Sequence, residues 1–281
     1  MAETHAPDLM RDALNRSELP IVVGGCHRSG TSLLRRVLNA HSNIYCGPEV
    51  KFFRDFYGDY FDDRIRHLRF AESARALLPE AELFDILGKA YLRILDSAAQ
   101  RAGKRRWADK NPENVLYLDA WNRLLGAGWV LVHVVRNPLD TLASIAERPF
   151  PLSIPASLDD RISFYRKYTE AGLRFGAAYP ARYFRVHYER LVDTPDLVLS
   201  DLMSWLGEAL EPGQFEFNTF PHQPGLEDPK VVTTSAIHAQ SVGRWRNSLT
   251  GEEARTIWKA AGELWAEVGP AEDLARLGAP P

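Results

Sequence analysis

The sequence predicts an α/β fold in which a P-loop-like parallel sheet is flanked by helices and carries helical and loop insertions. Short β-branched apolar runs alternate with helix-length segments. The first of these runs ends in a glycine-rich turn that leads directly into a helix. The chain has 281 residues, of which 45% are hydrophobic, and this is enough for one large core. We therefore expect one domain over residues 1–281, with a motif-bearing core over 19–247 and a C-terminal helix and tail over 248–281.

Five segments have the length and composition of strands. Residues 21–23 (IVV) are too few and too β-branched for a helix, and they end at Gly24 and Gly25. The other candidates are residues 43–46, 106–108, 129–135 and 182–186. Because helix-length segments separate them, we expect the strands to pair in parallel.

Helical periodicity fills most of the intervening chain. The predicted helices cover residues 31–40, 68–102, 113–125, 139–147, 157–178 and 196–206, and a last one begins at Thr250. Thr250 and Glu253 have the spacing of a capping box. Residues 211–240 lack periodicity and contain several prolines, so this segment is predicted to be a long functional loop.

Composition excludes several function classes. The net charge of −3 excludes a generally basic nucleic-acid-binding surface. The sequence contains no run of 18 apolar residues, and its N-terminus lacks the apolar stretch of a signal peptide. Two cysteines cannot build a disulfide framework. We expect a cytoplasmic protein with no transmembrane segment and no nucleic-acid partner.

Residues 25–32 (GCHRSGTS) are the most informative segment. They follow a strand and open a helix, where backbone N–H groups and the helix dipole bind phosphate. Their spacing is that of G-x-x-x-x-G-K-[ST], but Thr31 stands at the lysine position. Since that lysine contacts the β- and γ-phosphates of a nucleoside triphosphate, this loop fits a ligand with one phosphate and a second small anionic group. Arg28 adds a guanidinium at the mouth. The alternative is a plain glycine turn between strand and helix.

Residues 27–33 (HRSGTSL) resemble the 5′-phosphosulfate loop of the sulfotransferases, usually PRSGT, whose donor is 3′-phosphoadenosine 5′-phosphosulfate. Residues 46–49 (CGPE) and the preceding 39–41 (NAH) closely resemble the tyrosylprotein sulfotransferase branch. The resemblance continues in family order at residues 109–112 (DKNP), 135–138 (VRNP), 186–189 (VHYE) and 242–245 (VGRW). It implies a sulfotransferase-type fold and sulfuryl transfer from this donor to an acceptor hydroxyl.

The resemblance also implies which residues bind the donor. These are Arg28, Ser29, Gly30, Thr31, Ser32, Arg136, Ser144, Tyr188 and Arg244. Arg136 and Ser144 would hold the 3′-phosphate, although a surface arginine and a helix serine, or an Arg136–Asp140 pair, would explain them structurally. Tyr188 would pack on the adenine, support the site or belong to the core, and Arg244 would close over the nucleotide.

Three residues are candidates for catalysis: Glu49, Lys110 and Arg28. A hydroxyl acceptor needs a general base, and Glu49 matches the base position of the tyrosylprotein branch. Lys110 would stabilise charge on the leaving phosphate, or else form a structural pair with Glu113. His222 and His238 in the long loop are the alternative bases. The histidines show no metal-ligand spacing, so no metal is expected.

Two departures leave the acceptor open. His27 replaces the loop's proline, and Lys51 stands where the tyrosylprotein branch has an arginine. A peptide tyrosine, a small molecule, a lipid and a carbohydrate all remain possible acceptors. The aromatic residues between Phe52 and Phe61 would line an acceptor site or, more commonly, form core. Cys26 and Cys46 are expected to be small buried apolar residues.

Two other functions compete with sulfuryl transfer. One is a nucleotide kinase with an atypical P-loop, which the missing lysine at Thr31 disfavours. The other is a nucleotide-binding protein without catalysis.

Overall fold

The structure is a computed structural model that describes residues 15–58, 73–147, 154–220 and 236–268. Its strands form one parallel sheet in the order β2-β3-β1-β4-β5. The strands are β1 (Ile21–Gly25), β2 (Ile44–Cys46), β3 (Arg106–Lys110), β4 (Val130–Val135) and β5 (Tyr183–His187). The predicted α/β class is confirmed, and each strand lies within two residues of its predicted bounds.

Helices pack on both faces of this sheet. They are α1 (Thr31–Asn39), α2 (Phe52–Tyr57), α3 (Glu80–Arg101), α4 (Leu118–Leu125), α5 (Pro138–Glu147), α6 (Leu158–Ala178), α7 (Tyr188–Asp193), α8 (Pro195–Leu206) and α9 (Gly251–Val268). The helix predicted over 113–125 is wrong in its first half, where Pro112–Leu116 form a 3₁₀ helix. The backbone of Tyr117 (φ −118°, ψ 28°) separates this turn from α4. The start of the helix predicted over 68–102 lies partly outside the described residues.

The sheet brings the sequence motifs to one edge. Strand β1 lies between β3 and β4, with Val23 opposite Lys110 and Gly25 opposite Val134. Because all strands are parallel, the loop after β1, the end of β3 and the loop after β4 meet at the carboxyl edge. Ligands of open α/β sheets bind at this edge.

Alternating residues of β1 enter different cores. Ile21 and Val23 pack in a core with α1, α7 and α8, whereas Val22 faces an aromatic core that includes Phe53 and Phe56. Phe52 stacks on Tyr91 with ring centroids 4.5 Å apart. These α2 rings are therefore part of the core, and Tyr60 and Phe61 lie outside the described residues.

A third core joins the C-terminal helix α9 to α5 and α6. Both cysteines are buried and free, as expected. The first part of the predicted long loop contains the 3₁₀ turns Pro212–Gln214 and Phe217–Thr219, while His222 lies outside the described residues. None of the described helices is both long and apolar enough to cross a membrane.

Candidate active site

The loop between β1 and α1 is a tight turn built on Gly30. Gly30 has a φ of +100° and directly precedes α1, and Arg28 also has a positive φ of 69°. The backbone N–H and the hydroxyl of Ser29 both donate to the carbonyl of Cys26, at 3.2 and 2.6 Å. A Cβ added to Gly30 would lie 2.3 Å from Cδ2 of Tyr188. The loop therefore requires glycine at this position because the Tyr188 ring packs directly against it.

Four of the predicted donor-binding side chains meet at this loop. Arg28 donates from Nε to the hydroxyl of Ser144 at 3.1 Å. Arg136 donates from Nη1 to the carbonyl of Arg28 at 2.8 Å, and its guanidinium lies 4.4 Å from the ring centroid of Tyr188. The Nε atom of Arg136 is buried and has no hydrogen-bond partner among the described residues. Two guanidinium groups, a hydroxyl and an aromatic face thus surround the loop, a combination suited to a phosphate group.

Asp140 does not form the structural pair with Arg136 that was the alternative to phosphate binding. The buried Asp140 carboxylate accepts instead from the backbone N–H groups of Gly243 and Trp245, at 2.7 and 3.0 Å. These N–H groups belong to the segment Ser241–Trp245, which we call the strap. The carbonyl of Ser241 in the strap accepts from Nη2 of Arg136 at 2.5 Å. Asp140 therefore holds the strap beside the loop, and Arg136 binds the strap itself.

Arg244 contacts a carboxylate on α5. Its guanidinium forms an ion pair with Glu147, which lies one helical turn after Ser144 on α5. The structure therefore does not join Arg244 to the other predicted donor-binding residues.

Glu49 lies between two ammonium groups. Oε1 of Glu49 pairs with Lys110, and Oε2 lies 2.6 Å from Nζ of Lys51. Burial raises the pKa of this carboxyl, but the charges of Lys110 and Lys51 lower it by a larger amount, so that the pKa falls to about 2. The Lys110–Glu113 pair considered from the sequence is wrong, because Lys110 is taken by Glu49.

Lys110 connects this carboxylate to the loop. Its Nζ also donates to the hydroxyl of Ser32, in the first turn of α1, at 3.1 Å. Neighbouring Asp109 is buried and accepts from the hydroxyl of Tyr91 and the amide of Asn114, at 2.8 and 2.9 Å. These contacts fix the end of β3 and hence the position of Lys110.

Glu113 pairs with Lys51. Their atoms Oε1 and Nζ are 2.9 Å apart, and both side chains are largely buried. Nε2 of His27 lies 3.6 Å from Oε2 of Glu113, and Arg54 approaches the same carboxylate at 3.9 Å. Burial lowers the pKa of His27 to about 4, so its imidazole is neutral at neutral pH. The cluster joins the β1–α1 loop to the segment after β3.

Glu189 is a buried carboxyl behind the loop. Its Oε1 accepts from the backbone N–H of Asn137 at 2.8 Å, next to Arg136. Burial raises its pKa to about 7, although that hydrogen bond and the charge of Arg136 lower it. Glu189 therefore supports the turn after β4 while carrying a proton over much of the acidic pH range.

A cleft of about 1020 Å³ runs between α6 and the segment that begins at Glu113. Its described lining is Arg54, Glu113, Val115, Leu116, Tyr117, Leu118, Asp119, Pro155, Asp160, Ser163, Phe164, Lys167, Tyr168, Ala171, Arg174, Phe175, Ala178 and Tyr179. Helix α6 contributes from Asp160 to Ala178, about 27 Å at 1.5 Å per residue. Its lining combines apolar and aromatic side chains with charged ones, and Glu113 belongs both to this lining and to the Glu49 cluster.

Of the two alternative bases, His222 lies outside the described residues. Both oxygens of Glu49 contact lysines, and the described part of the chain shows no hydrogen bond between Glu49 and His238. No group of three or more His, Cys, Asp or Glu side chains within the described ranges is placed to hold a metal ion.

A family model described as the sulfotransferase family matches residues 20–212, which is more than half of the chain. The chain belongs to the sulfotransferase family. It is accordingly a transferase of the sulfotransferase type, and the family suggested by residues 27–33 is confirmed.

Two curated relatives cover most of this sulfotransferase. Nodulation protein NoeE of Sinorhizobium fredii is 26% identical over 295 residues, which cover 92% of this chain and 68% of the relative. Protein-tyrosine sulfotransferase 2 of Gallus gallus is 24% identical over 287 residues, which cover 94% of this chain and 70% of the relative. The chain thus aligns with about two thirds of each relative.

Solved structures share the fold of this sulfotransferase. The sulfotransferase domain from the curacin biosynthetic pathway superposes with a TM-score of 0.64 at 19% identity, covering 88% of this chain and 96% of that one. The sulfotransferase domain from the Synechococcus PCC 7002 olefin synthase gives a TM-score of 0.63 at 21% identity, covering 88% and 94%. Both confirm the sulfotransferase-type parallel sheet.

Sequence reasoning missed three features of the site. Glu113 appeared only as a partner of Lys110, and Lys51 only as a departure from the family pattern. Glu189 was not singled out, although it directly follows Tyr188 in a matching motif. The contacts of these residues join segments more than 50 residues apart, so the sequence alone could not reveal them. The only sequence signal that could have found the residues is that each lies beside a matching motif.

Proposed function

We propose that this sulfotransferase transfers the sulfuryl group of 3′-phosphoadenosine 5′-phosphosulfate to an acceptor hydroxyl. The observation that carries the proposal is the position of Lys110, whose ammonium contacts both Ser32 at the start of α1 and the carboxylate of Glu49. One cation thus connects the phosphate-binding helix terminus to a candidate base. When bound, the donor supplies an activated sulfuryl group on a phosphate leaving group.

The residues present fit this donor. The loop lacks the lysine of triphosphate-binding loops, and Gly30 directly precedes the N-terminus of α1. Arg28, Arg136 and Ser144 would hold a second phosphate, and the buried Nε of Arg136 has a donor position to spare. Ser29, Thr31 and Ser32 would bind through the loop and the first turn, while Tyr188 supports the loop. Arg244 would need to leave Glu147 to join them.

Glu49 would take the proton of the acceptor hydroxyl. Held by two ammonium groups, with a pKa of about 2, the carboxylate is a weak base. Lys110 lies between Glu49 and Ser32, so its ammonium can serve an anionic group at the helix terminus instead of Glu49. Loss of that partner raises the pKa of Glu49 and strengthens it as a base. Lys110 and Arg28 would also stabilise charge on the leaving phosphate.

The acceptor would reach Glu49 from the cleft along α6. The length of the cleft and its mixed apolar, aromatic and charged lining suit an extended acceptor, and a peptide tyrosine is our first candidate because of the motif at residues 46–49 and the name of the Gallus gallus relative. Small-molecule, lipid and carbohydrate hydroxyls are the alternatives.

The two free, buried cysteines accord with the cytoplasmic location that the composition predicts.

The test is transfer of label from ³⁵S-labelled donor to pools of peptides, phenols, sugars and lipids. We expect one pool to be labelled by the wild type, and turnover to fall at least a hundredfold in Glu49→Gln and Lys110→Ala. Binding of adenosine 3′,5′-bisphosphate to both variants shows that they are folded. Glu208→Gln, which removes a carboxylate paired with Arg106 away from the site, is the control and should keep turnover. Full turnover in Glu49→Gln would eliminate Glu49 as the base.

A further inference from the structure

Both departures from the family pattern meet at one carboxylate. His27 replaces the proline of the loop and Lys51 replaces an arginine, and they lie 24 positions apart in sequence. The structure places Nε2 of His27 3.6 Å from Glu113 and Nζ of Lys51 2.9 Å from it. The two substitutions are therefore parts of one arrangement, with Glu113 at its centre.

Charges alternate from Glu113 to the donor loop. Glu113 binds Lys51, Lys51 binds Glu49, and Glu49 binds the Lys110 ammonium that contacts Ser32. The exposed fractions of the Glu113, Glu49 and Lys51 side chains are 4%, 7% and 12%. Solvent therefore screens these contacts weakly, and each charge is sensitive to its neighbours.

We propose that Glu113 is a positioning residue for sulfuryl transfer, which acts by holding Lys51 between itself and Glu49. This inference rests on the proposed function, because it assigns Glu49 as the base. Glu113 also lines the cleft, so the same carboxylate would fix the geometry of the site where the acceptor would enter.

The sharing of Lys51 has a direct chemical consequence. An ammonium shared between two carboxylates neutralises each of them incompletely. Without the charge of Glu113, Lys51 belongs to Glu49 alone, and the repulsion between the two carboxylates disappears. Both changes stabilise the ionised form of Glu49 and weaken it as a base, and they also release the constraint on its position.

A purely structural ion pair accounts less well for the arrangement. Burying paired charges is costly, and apolar side chains of similar volume usually stabilise a core as well or better. Here the buried charges adjoin both the β1–α1 loop and the cleft, because Glu113 contacts His27 of the loop and also lines the cleft.

The test is a double-mutant cycle on turnover. Wild type, Glu113→Gln, Lys51→Met and the double variant are assayed with labelled donor, 4-nitrophenol as the first acceptor probe, and then the best acceptor pool. We expect Glu113→Gln to lower kcat about tenfold in the wild-type background and less than about twofold in the Lys51→Met background, because Glu113 acts through Lys51. Glu113→Asp, which keeps the charge, should recover part of kcat.

Binding and folding are measured on the same proteins. The Kd of adenosine 3′,5′-bisphosphate should stay within about twofold of wild type in each variant, so that the loss appears in kcat alone. Equal losses from Glu113→Gln in both backgrounds, or no loss at all, would overturn the inference and leave the proposed function intact. A wild type that binds the bisphosphate but labels none of the acceptors would instead reject the proposed function, and the inference with it.

Discussion

Replacing Gly30 by alanine should lower both the stability of the protein and its affinity for the donor. The same replacement at Gly103 is the control. Gly30 has a φ of +100°, and its new Cβ would lie 2.3 Å from Tyr188. Gly103 has a φ of +70°, but a Cβ there would meet nothing within 4 Å. Gly103→Ala therefore measures the cost of a positive φ without a collision.

The expected magnitudes follow from these contacts. A positive φ costs an alanine about 1–2 kcal/mol, and overpacking adds about 1–3 kcal/mol. The free energy of unfolding should therefore fall by about 1–2 kcal/mol in Gly103→Ala and by about 2–5 kcal/mol in Gly30→Ala. Since Tyr188 stacks on Arg136, its displacement also moves a guanidinium of the candidate phosphate site.

Urea denaturation measures the loss of unfolding free energy in each of the two variants. Calorimetric titration with adenosine 3′,5′-bisphosphate measures the Kd of each variant. The Kd should rise at least about tenfold in Gly30→Ala, equivalent to about 1.4 kcal/mol, and stay within about twofold in Gly103→Ala. Equal losses of stability in both variants would refute the close packing of Tyr188 on Gly30. Wild-type affinity in Gly30→Ala would refute a role of this loop in binding the bisphosphate.

Three further outcomes are expected. Glu49→Gln should keep the Kd of the bisphosphate and lower kcat by about 10²–10⁴ in the labelled-donor assay, whereas a base elsewhere would preserve kcat. Arg136→Lys should raise that Kd about tenfold, because lysine cannot both stack on Tyr188 and span two carbonyls, and an unchanged Kd would remove Arg136 from the site. Glu189 has its pKa raised from 4.5 to about 7, so the folded state retains a proton that the unfolded state loses, and stability from this group declines as pH rises from about 4.5 to 7. The stability difference between wild type and Glu189→Gln should change by about 3 kcal/mol between pH 4.5 and 7.5 in urea titrations, and parallel pH profiles would contradict the raised pKa.

Local patterns made much of the fold predictable. The run at residues 21–23 is β-branched and ends in glycines, and residues 129–135 form a continuous apolar run, as buried parallel strands require. The helix over 113–125 could not be placed correctly, because Tyr117 interrupts it with a backbone conformation that its side chain does not reveal.

The candidate site was predictable where one segment carries it. Residues 25–32 contain their own turn geometry, and Lys110 stands at a strand end that faces the same edge. Partner choice was not predictable: Asp140 binds two strap amides more than 100 residues away, and Arg244 turns to Glu147. Such contacts depend on how helices and loops pack, which residue spacing does not encode.

The proposed preference of the β1–α1 loop for a sulfuryl donor over a nucleoside triphosphate can be measured by one calorimetric comparison. The intact protein is titrated with adenosine 3′,5′-bisphosphate and, separately, with ATP and magnesium. Because Thr31 replaces the lysine of triphosphate-binding loops and Arg136 belongs to the proposed second phosphate site, the bisphosphate should bind at least about a hundredfold tighter, equivalent to about 2.7 kcal/mol. Tight binding of ATP with magnesium and none of the bisphosphate would contradict the account.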